Sequence, residues 1–249
     1  MNTHHTSQLT SAPGVRTLHA LALVFLLAGC QAAFPPALNP PAQAEPPRLD
    51  VGDSWVYRHT DGYTKLPRGT FTNTITAITG DIVTVEVKAE DGRAVATDRY
   101  TRDWNWLERP MTNLQRFRFD PPYPALSFPL ASGKSWSNYM RATDVADGAT
   151  YDLARVDGKA SDWQRVTVPA GAFDAIYVQR SAYSGAPTRS RTQEYIIERD
   201  WYAPAVNNVV MGSYRSEYRD KTKGDEDLSS WYINEWTLVE LVEYRPARK

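Results

Sequence analysis

The sequence predicts an all-β domain, built as a large curved antiparallel sheet or an incomplete barrel. Pairs of Asp and Gly that are typical of tight turns recur along the chain. Short segments rich in β-branched and aromatic residues separate these pairs. We find no stretch with a convincing helical period, and aromatic residues, which favour strands and large cores, make up 12% of the chain.

The chain begins with an apolar segment, residues 18–28, that precedes its only cysteine, Cys30. A membrane-spanning helix needs about 20 apolar residues, so this segment is too short to be a good span. The residues before it include Arg16 and no Asp or Glu, as in a signal peptide. A generic signal peptide with an incidental cysteine, or a buried apolar segment, is the alternative.

The motif Leu27-Ala28-Gly29-Cys30 resembles the lipobox of bacterial lipoproteins. The resemblance implies that residues 1–29 are a signal peptide that is cleaved off, and that Cys30 becomes the lipid attachment site. Residue 31 is Gln rather than Asp, which by the sorting rule of that family implies the outer membrane of a two-membrane bacterium. We therefore expect a cell-envelope protein that is lipid-anchored in the outer membrane and faces the periplasm.

The segment that follows, residues 30–49, contains six prolines among small residues. Closely spaced prolines favour an extended polyproline II conformation with a rise of about 3.1 Å per residue. The composition predicts a stalk that holds the domain away from the lipid surface. Disordered filler is the alternative.

Residues 50–249 form the predicted β domain. The clearest strand, residues 82–88, alternates Val83, Val85 and Val87 with polar residues, as expected of a strand that is buried on one face. Turns are predicted at Asp-Gly or Gly-Asp pairs, including Asp157-Gly158. The predicted strands cover residues 54–59, 70–78, 82–88, 94–106, 151–156, 163–168, 173–183, 191–201, 209–219 and 231–244.

A faint internal repeat divides this domain into candidate halves, residues 50–127 and 128–249. A Gly-x-Ser-Trp motif ending at Trp55 recurs with its last residue at Trp136, and the tripeptide Arg102-Asp103-Trp104 recurs as Arg199-Asp200-Trp201. If the repeat is real, each half is a meander of several strands. Two such short matches can also arise by chance.

Four stretches resemble an uncharacterised group of bacterial envelope proteins: residues 50–57 (DVGDSWVY), 128–136 (FPLASGKSW), 166–178 (VTVPAGAFDAIYV) and 201–210 (WYAPAVNNVV). That group is built on a curved antiparallel sheet and is related in shape to the half-barrels that carry lipoproteins across the periplasm. The resemblance implies a fold and a location, but no assigned activity and no catalytic residue.

Composition argues against several function classes. Loss of Arg16 with the signal lowers the net charge from −1 to −2, so we expect no nucleic-acid partner, which would require a basic face. His59 is the only histidine after Cys30, and no nucleophile elbow or phosphate-binding glycine loop is present. We expect no metal, no cofactor and no enzymatic activity, and we expect His59 to be solvated at a strand end.

The remaining candidates for ligand contact are two carboxylates and two indole rings. Asp103 and Asp200 occupy equivalent places in the repeat, and paired carboxylates can cleave glycosides, although structural ion pairing is favoured. Trp104 and Trp106 are the best candidates for exposed aromatic rings. The leading hypothesis is a non-enzymatic binding or scaffolding module with a lipid, glycan or envelope-protein partner. The alternative is a module that binds or cleaves cell-wall glycans.

Overall fold

A computed structural model describes residues 34–110, 116–184, 191–220 and 231–248. Strands dominate these residues, together with one short 3₁₀ turn at Pro204–Val206. None of the helical structure in them is long and apolar enough to cross a membrane. The strands are β1 Ser54–Asp61, β2 Pro67–Thr79, β3 Ile82–Ala89, β4 Ala94–Thr101, β5 Trp106–Pro110, β6 Arg116–Tyr123, β7 Ser135–Asp144, β8 Thr150–Val168, β9 Gly171–Ser184, β10 Arg191–Ala203, β11 Asn208–Asp220 and β12 Tyr232–Arg245.

The strands form one closed antiparallel barrel in which each strand pairs with its neighbours in the chain. The barrel closes between β1 and β12, where Ser54 pairs with Arg245 and Asp61 pairs with Thr237. Among the described strands, closure gives every strand a neighbour on both sides. The predicted all-β class is confirmed, and the curved sheet closes on itself completely.

Because consecutive strands alternate in direction, their connections fall alternately at two ends of the barrel. We call the end that carries residues 80–81, 102–105, 124–134, 169–170 and 204–207 the base. We call the end that carries residues 62–66, 90–93 and 145–149 the rim. The two ends differ in how they are closed.

The base is covered by the N-terminal segment, residues 34–53. Ala44 and Leu130 exchange backbone hydrogen bonds of 2.8 and 2.9 Å, and both residues are almost fully buried. The Trp55 indole donates to the carbonyl oxygen of Val206 at 2.8 Å across the same end. The base is therefore sealed by apolar side chains and by satisfied backbone groups.

Residues 34–49, which belong to the predicted stalk, lie against the barrel, and the expectation that residues 30–49 hold the domain away from the lipid surface stays a prediction. The backbone amides of Leu38 and Asn39 donate to the two carboxylate oxygens of Asp174, and the amide of Arg165 donates to the carbonyl oxygen of Pro35 at 2.7 Å. Phe34 packs edge-to-face on Trp201 at a centroid distance of 5.5 Å. An extended proline-rich conformation leaves backbone groups free to bond with a neighbour, and here the barrel wall supplies the partners.

Two strand boundaries differ from the prediction. The single strand predicted over residues 94–106 is two strands, β4 and β5, because the chain turns at Trp104, whose φ is 59°. The turn predicted at Asp157-Gly158 lies instead within the long strand β8. Gly158 is needed there for close packing, since a Cβ atom would lie 2.2 Å from the Trp136 ring. Strands β6 and β7 complete the sheet.

Candidate functional site

The barrel encloses a cavity of about 360 Å³. Its walls come from β1–β5 on one side and from β10–β12 on the other. Most of the lining is aromatic or aliphatic, and polar groups are concentrated in a few positions. The aromatic lining residues are Trp55, Tyr57, Phe71, Tyr100, Trp104, Trp106 and Tyr214, together with His59.

The cavity lies beside a filled half of the barrel. Bulky side chains from β6 and β7, Phe117, Phe119 and Met140, pack into the core. Facing the cavity, β3 and β4 contribute smaller groups such as Val85 and Ala96. The free space thus follows from the size of the inward-facing side chains on each side of the barrel.

The cavity is closed at the base and opens towards the rim. Its base is formed by Trp55 and Trp104, which are 0% and 6% exposed. Near the rim the lining includes Val95, which is 44% exposed, and the exposed Pro110. The increase in exposure along the lining places the mouth at the rim.

A buried ion network centres on Arg180 of β9, which is 0% exposed. Its Nε atom donates to Glu198 at 2.8 Å, its Nη2 atom donates to Asp200 at 2.7 Å, and its Nη1 atom donates to the carbonyl oxygen of Ala125 at 2.8 Å. Glu198 and Asp200 both project from β10 into the cavity wall. Burial opposes the positive charge, but the two carboxylates raise the pKa of the Arg180 guanidinium.

Two tyrosines complete this network. The Tyr123 hydroxyl donates to Glu198 at 2.6 Å, and the Tyr214 hydroxyl donates to Asp200 at 2.7 Å. Burial and the neighbouring carboxylates raise the pKa of both phenols, so the phenols stay protonated. Each carboxylate therefore has both a cation and a hydroxyl as partners, which is the condition for holding charge inside a protein.

A second cation, Arg109, faces the cavity from β5. Its guanidinium lies 3.9 Å from the centroid of the Trp106 ring, and that ring stacks in turn on Tyr123 at 4.1 Å. The pairing of β4 with β5 shifts register, because Tyr100 pairs with Trp106 whereas its neighbour Arg99 pairs with Glu108, and the extra residue on β5 marks a β-bulge. This bulge puts Trp106 and Arg109, three positions apart, on the same inward face.

The prediction of a solvated His59 is wrong. Its ring lines the cavity and contacts Phe71 at a centroid distance of 4.7 Å. Burial, Arg109 and Arg68 together lower the pKa of His59 from 6.5 to about 4. The imidazole is therefore neutral at physiological pH.

The expectation that Trp104 and Trp106 are exposed is also wrong, since they are 6% and 4% exposed. Both rings nevertheless line the cavity, so contact with an enclosed ligand stays a prediction. Asp200 lines the cavity as well, whereas Asp103 lies in the base turn after β4, outside the cavity lining. The two tripeptides thus occupy different settings, one in a turn and one within β10. For Asp200 the favoured ion pairing is confirmed, with Arg180 of β9 as its partner.

Sequence reasoning did not single out Arg109, Arg180 or Glu198. Val178, Arg180 and Ala182 lie at every second position of β9 and face the same way, so the sequence does place an arginine on an otherwise apolar strand face. That pattern could have indicated a buried arginine. Cys30 lies outside the residues that the structure describes, and its lipid attachment stays a prediction. Over those residues, no group of three or more His, Cys, Asp and Glu side chains is arranged to hold a metal ion.

Comparison with known proteins establishes no family for this chain. No protein-family model matches it, and no curated protein matches it. Three solved structures share features of its shape at low sequence identity. The hypothetical lipoprotein YmcC of Escherichia coli K12 has 10% identity and a TM-score of 0.44, covering 78% of this chain and 86% of that chain.

The other two structures come from Parabacteroides distasonis and Bacteroides fragilis. A presumed lipoprotein of Parabacteroides distasonis has 13% identity and a TM-score of 0.43, covering 83% of this chain and 100% of that chain. A presumed exported protein with a YmcC-like fold from Bacteroides fragilis has 14% identity and a TM-score of 0.42, covering 82% of this chain and 100% of that chain.

Proposed function

We propose that this protein is a lipid-anchored, non-enzymatic envelope protein that binds a small, mainly apolar molecule inside its barrel. The observation that carries the proposal is the cavity of about 360 Å³ that is sealed at the base and open at the rim. Cavities that hold small ligands typically measure about 300–1,000 Å³ and combine apolar walls with a few placed polar groups. The aromatic walls and the small number of polar groups in this barrel fit that description.

Several polar groups of the lining already have partners within the chain. Glu198 and Asp200 are paired within the chain, and the Tyr57 hydroxyl donates to the carbonyl oxygen of Val209 at 2.8 Å. Such groups do not require water to fill the cavity in order to be satisfied. An apolar ligand would therefore displace water mainly from the aromatic and aliphatic walls, which is favourable.

The lipid anchor that we expect at Cys30 would hold this cavity at the outer membrane, with the domain in the periplasm.

Binding can be measured with decanol, a neutral apolar probe. The full chain is purified from bacterial membranes into lipid nanodiscs, and fluorescence of the cavity tryptophans reports binding. We expect saturable binding that Ala96→Phe abolishes, because Ala96 lines the cavity and the larger ring would fill it. Thr97→Phe is the matched control, since Thr97 is exposed on the outer face of the same strand.

Equal responses from the wild-type protein and both variants would mean that decanol partitions only into the nanodisc lipid. That result would contradict the proposed function. Thermal unfolding of each variant shows whether the barrel is intact before binding is compared.

A groove on the outer wall favours a second function, glycan binding. It runs over β7–β9 and combines Trp136 and Tyr177 with several serines and Gln179. Among the described residues its lining includes one carboxylate, Asp157, whereas glycoside cleavage uses two. We therefore retain only binding in this alternative. Retention of the protein on insoluble peptidoglycan, lost in Tyr177→Ala, would support it.

A further inference from the structure

The guanidinium of Arg109 is incompletely bonded in the cavity, because its buried Nε atom has no hydrogen-bond partner. Among the described lining residues, the Oδ1 atom of Asp98 is the other buried atom without a hydrogen bond, although it forms an ion pair with Arg116 at 2.8 Å. Within the described part of the chain, Arg109 contacts the Trp106 ring but forms no ion pair. A buried donor without an acceptor is destabilising, so its occurrence in a cavity calls for an explanation.

The nearby carboxylates do not supply the missing acceptor. Asp98 is paired with Arg116 at 2.8 Å, and Glu198 and Asp200 are paired with Arg180. These acidic groups act on Arg109 only from beyond contact distance, although Asp98 and Glu198 still raise the pKa of its guanidinium against the effect of burial. Arg109 is therefore a permanent cation at the cavity wall whose Nε donor is unused.

The surroundings of Arg109 are suited to a charged head group next to an apolar chain. Trp106 covers one face of the guanidinium and leaves its edge, which carries the N–H donors, available. His59 is neutral and lies in the same cavity, so Arg109 supplies the positive charge among the described lining residues. Aromatic and aliphatic residues, including Phe71 and Val85, form the neighbouring walls.

We propose that the ligand of this cavity is an amphiphile with a single anionic head group, a carboxylate or a phosphate, bound by Arg109 over the Trp106 ring. The inference rests on the proposed function and narrows its ligand class. A carboxylate or phosphate accepts two parallel N–H bonds from a guanidinium, and the unpartnered Nε–H of Arg109 would be one of these two donors. The β-bulge of β5 against β4 is what brings the guanidinium to the lumen.

The test compares probes that share one chain and differ in the head group. Decanoate and decyl phosphate are anionic at neutral pH, and decanol is neutral. The wild-type protein in nanodiscs should bind the preferred anion at least about tenfold more tightly than decanol, because hydrogen bonds to charged groups are stronger than neutral ones. The anion that binds more tightly shows whether a fatty acid or a lipid phosphate better represents the ligand.

Three arginine variants separate charge recognition from structure. Arg109→Gln should bind the anions and decanol with equal affinity, while Arg109→Lys should keep part of the preference because it retains the charge. Arg118→Gln is the matched control, since Arg118 is exposed on β6 and pairs with Glu108 at 3.3 Å. It should keep the full preference for the anion.

The outcomes test the ligand class and the proposed function separately. If decanol and the anions bind the wild-type cavity equally, Arg109 only balances the three nearby carboxylates, and this inference is overturned while the proposed function stands. If no probe binds in a manner that depends on Ala96, the proposed function itself fails. If Arg109→Gln does not fold, the comparison of decanoate with decanol on the wild-type protein still decides the question.

Discussion

Replacing Arg180 with methionine should destabilise the barrel strongly. The change removes a fully buried cation and leaves Glu198 and Asp200, which are themselves buried, without a positive partner. Removing one partner from a buried ion pair typically costs about 3–5 kcal/mol. Methionine has a similar length and fills much of the same space, so the loss reflects charge and hydrogen bonding more than a cavity.

The predicted loss can be measured as a change in melting temperature. For a domain of this size, each kcal/mol lowers the Tm by about 2–4 °C, so Arg180→Met should lower it by roughly 6–20 °C. The assay is thermal unfolding of the full chain in nanodiscs, followed by intrinsic tryptophan fluorescence. Arg165→Met is the matched control, because Arg165 pairs with Asp174 on a partly exposed surface and its loss should cost about 1 kcal/mol or less.

A compensated variant isolates the electrostatic part of the effect. Combining Arg180→Met with Glu198→Gln and Asp200→Asn removes both buried charges but keeps oxygen acceptors for the Tyr123 and Tyr214 hydroxyls. This triple variant should recover more than half of the lost stability. The reasoning is refuted if Arg180→Met unfolds at the same temperature as Arg165→Met, or if the triple variant is less stable than Arg180→Met.

Three further predictions concern pH, packing and the N-terminal segment. His59 has a pKa of about 4 in the folded state against 6.5 when unfolded, so between these pH values mainly the unfolded state binds the proton. The free energy of unfolding should therefore fall by up to about 3 kcal/mol from pH 6.5 to pH 4. His59→Gln should lack this contribution to the pH dependence of unfolding. Gly158→Ala should lower stability by about 1–3 kcal/mol in thermal unfolding, because its methyl group would collide with the Trp136 ring. Asp174→Ala should speed proteolysis within residues 34–43, because it removes the acceptor for two backbone amides there.

Each of these predictions has its own control. An identical pH dependence of stability in wild type and His59→Gln would show that His59 does not titrate as argued. In a Trp136→Ala background the cost of Gly158→Ala should vanish, and an unchanged cost would point to backbone effects instead. Asp162→Ala, at an exposed position on the neighbouring strand, should leave the proteolysis rate unchanged; equal acceleration by both variants would contradict the role of Asp174.

The strands and most turns could be predicted because their signals are local. The alternation of Val83, Val85 and Val87 and the turn pairs at residues 80–81 and 91–92 correspond to observed elements. The turn prediction at Asp157-Gly158 was wrong because glycine occurs both in tight turns and at positions of close packing. Only the position of Trp136, on the adjacent strand β7, reveals which purpose applies.

The site was harder to predict because it depends on bulges and on distant contacts. Strict alternation from Trp106 would point Arg109 outward, and the bulge of β5 against β4 reverses that direction. In the last strand, the buried residues are Thr237, Val239 and Leu241, whereas the bulkier Trp236 and Leu238 are only partly buried. Trp236 instead covers Gly62 and Tyr63 on the outside of the barrel.

The packing of residues 34–49 could not be inferred from their composition either. A proline-rich segment favours an extended backbone whether it is free or docked. Its docking depends on Asp174, more than a hundred residues further along the chain. Partners at such separations leave no local trace in the sequence.

The most direct measurement of the central claim is mass spectrometry of lipids extracted from the purified full chain. Wild-type protein and Ala96→Phe are prepared side by side from bacterial membranes, so that lipid bound to the outside is common to both. We expect an anionic amphiphile to be enriched in the wild-type extract and depleted in Ala96→Phe and in Arg109→Gln. Identical extracts from all three proteins would contradict the claim that the barrel holds a ligand.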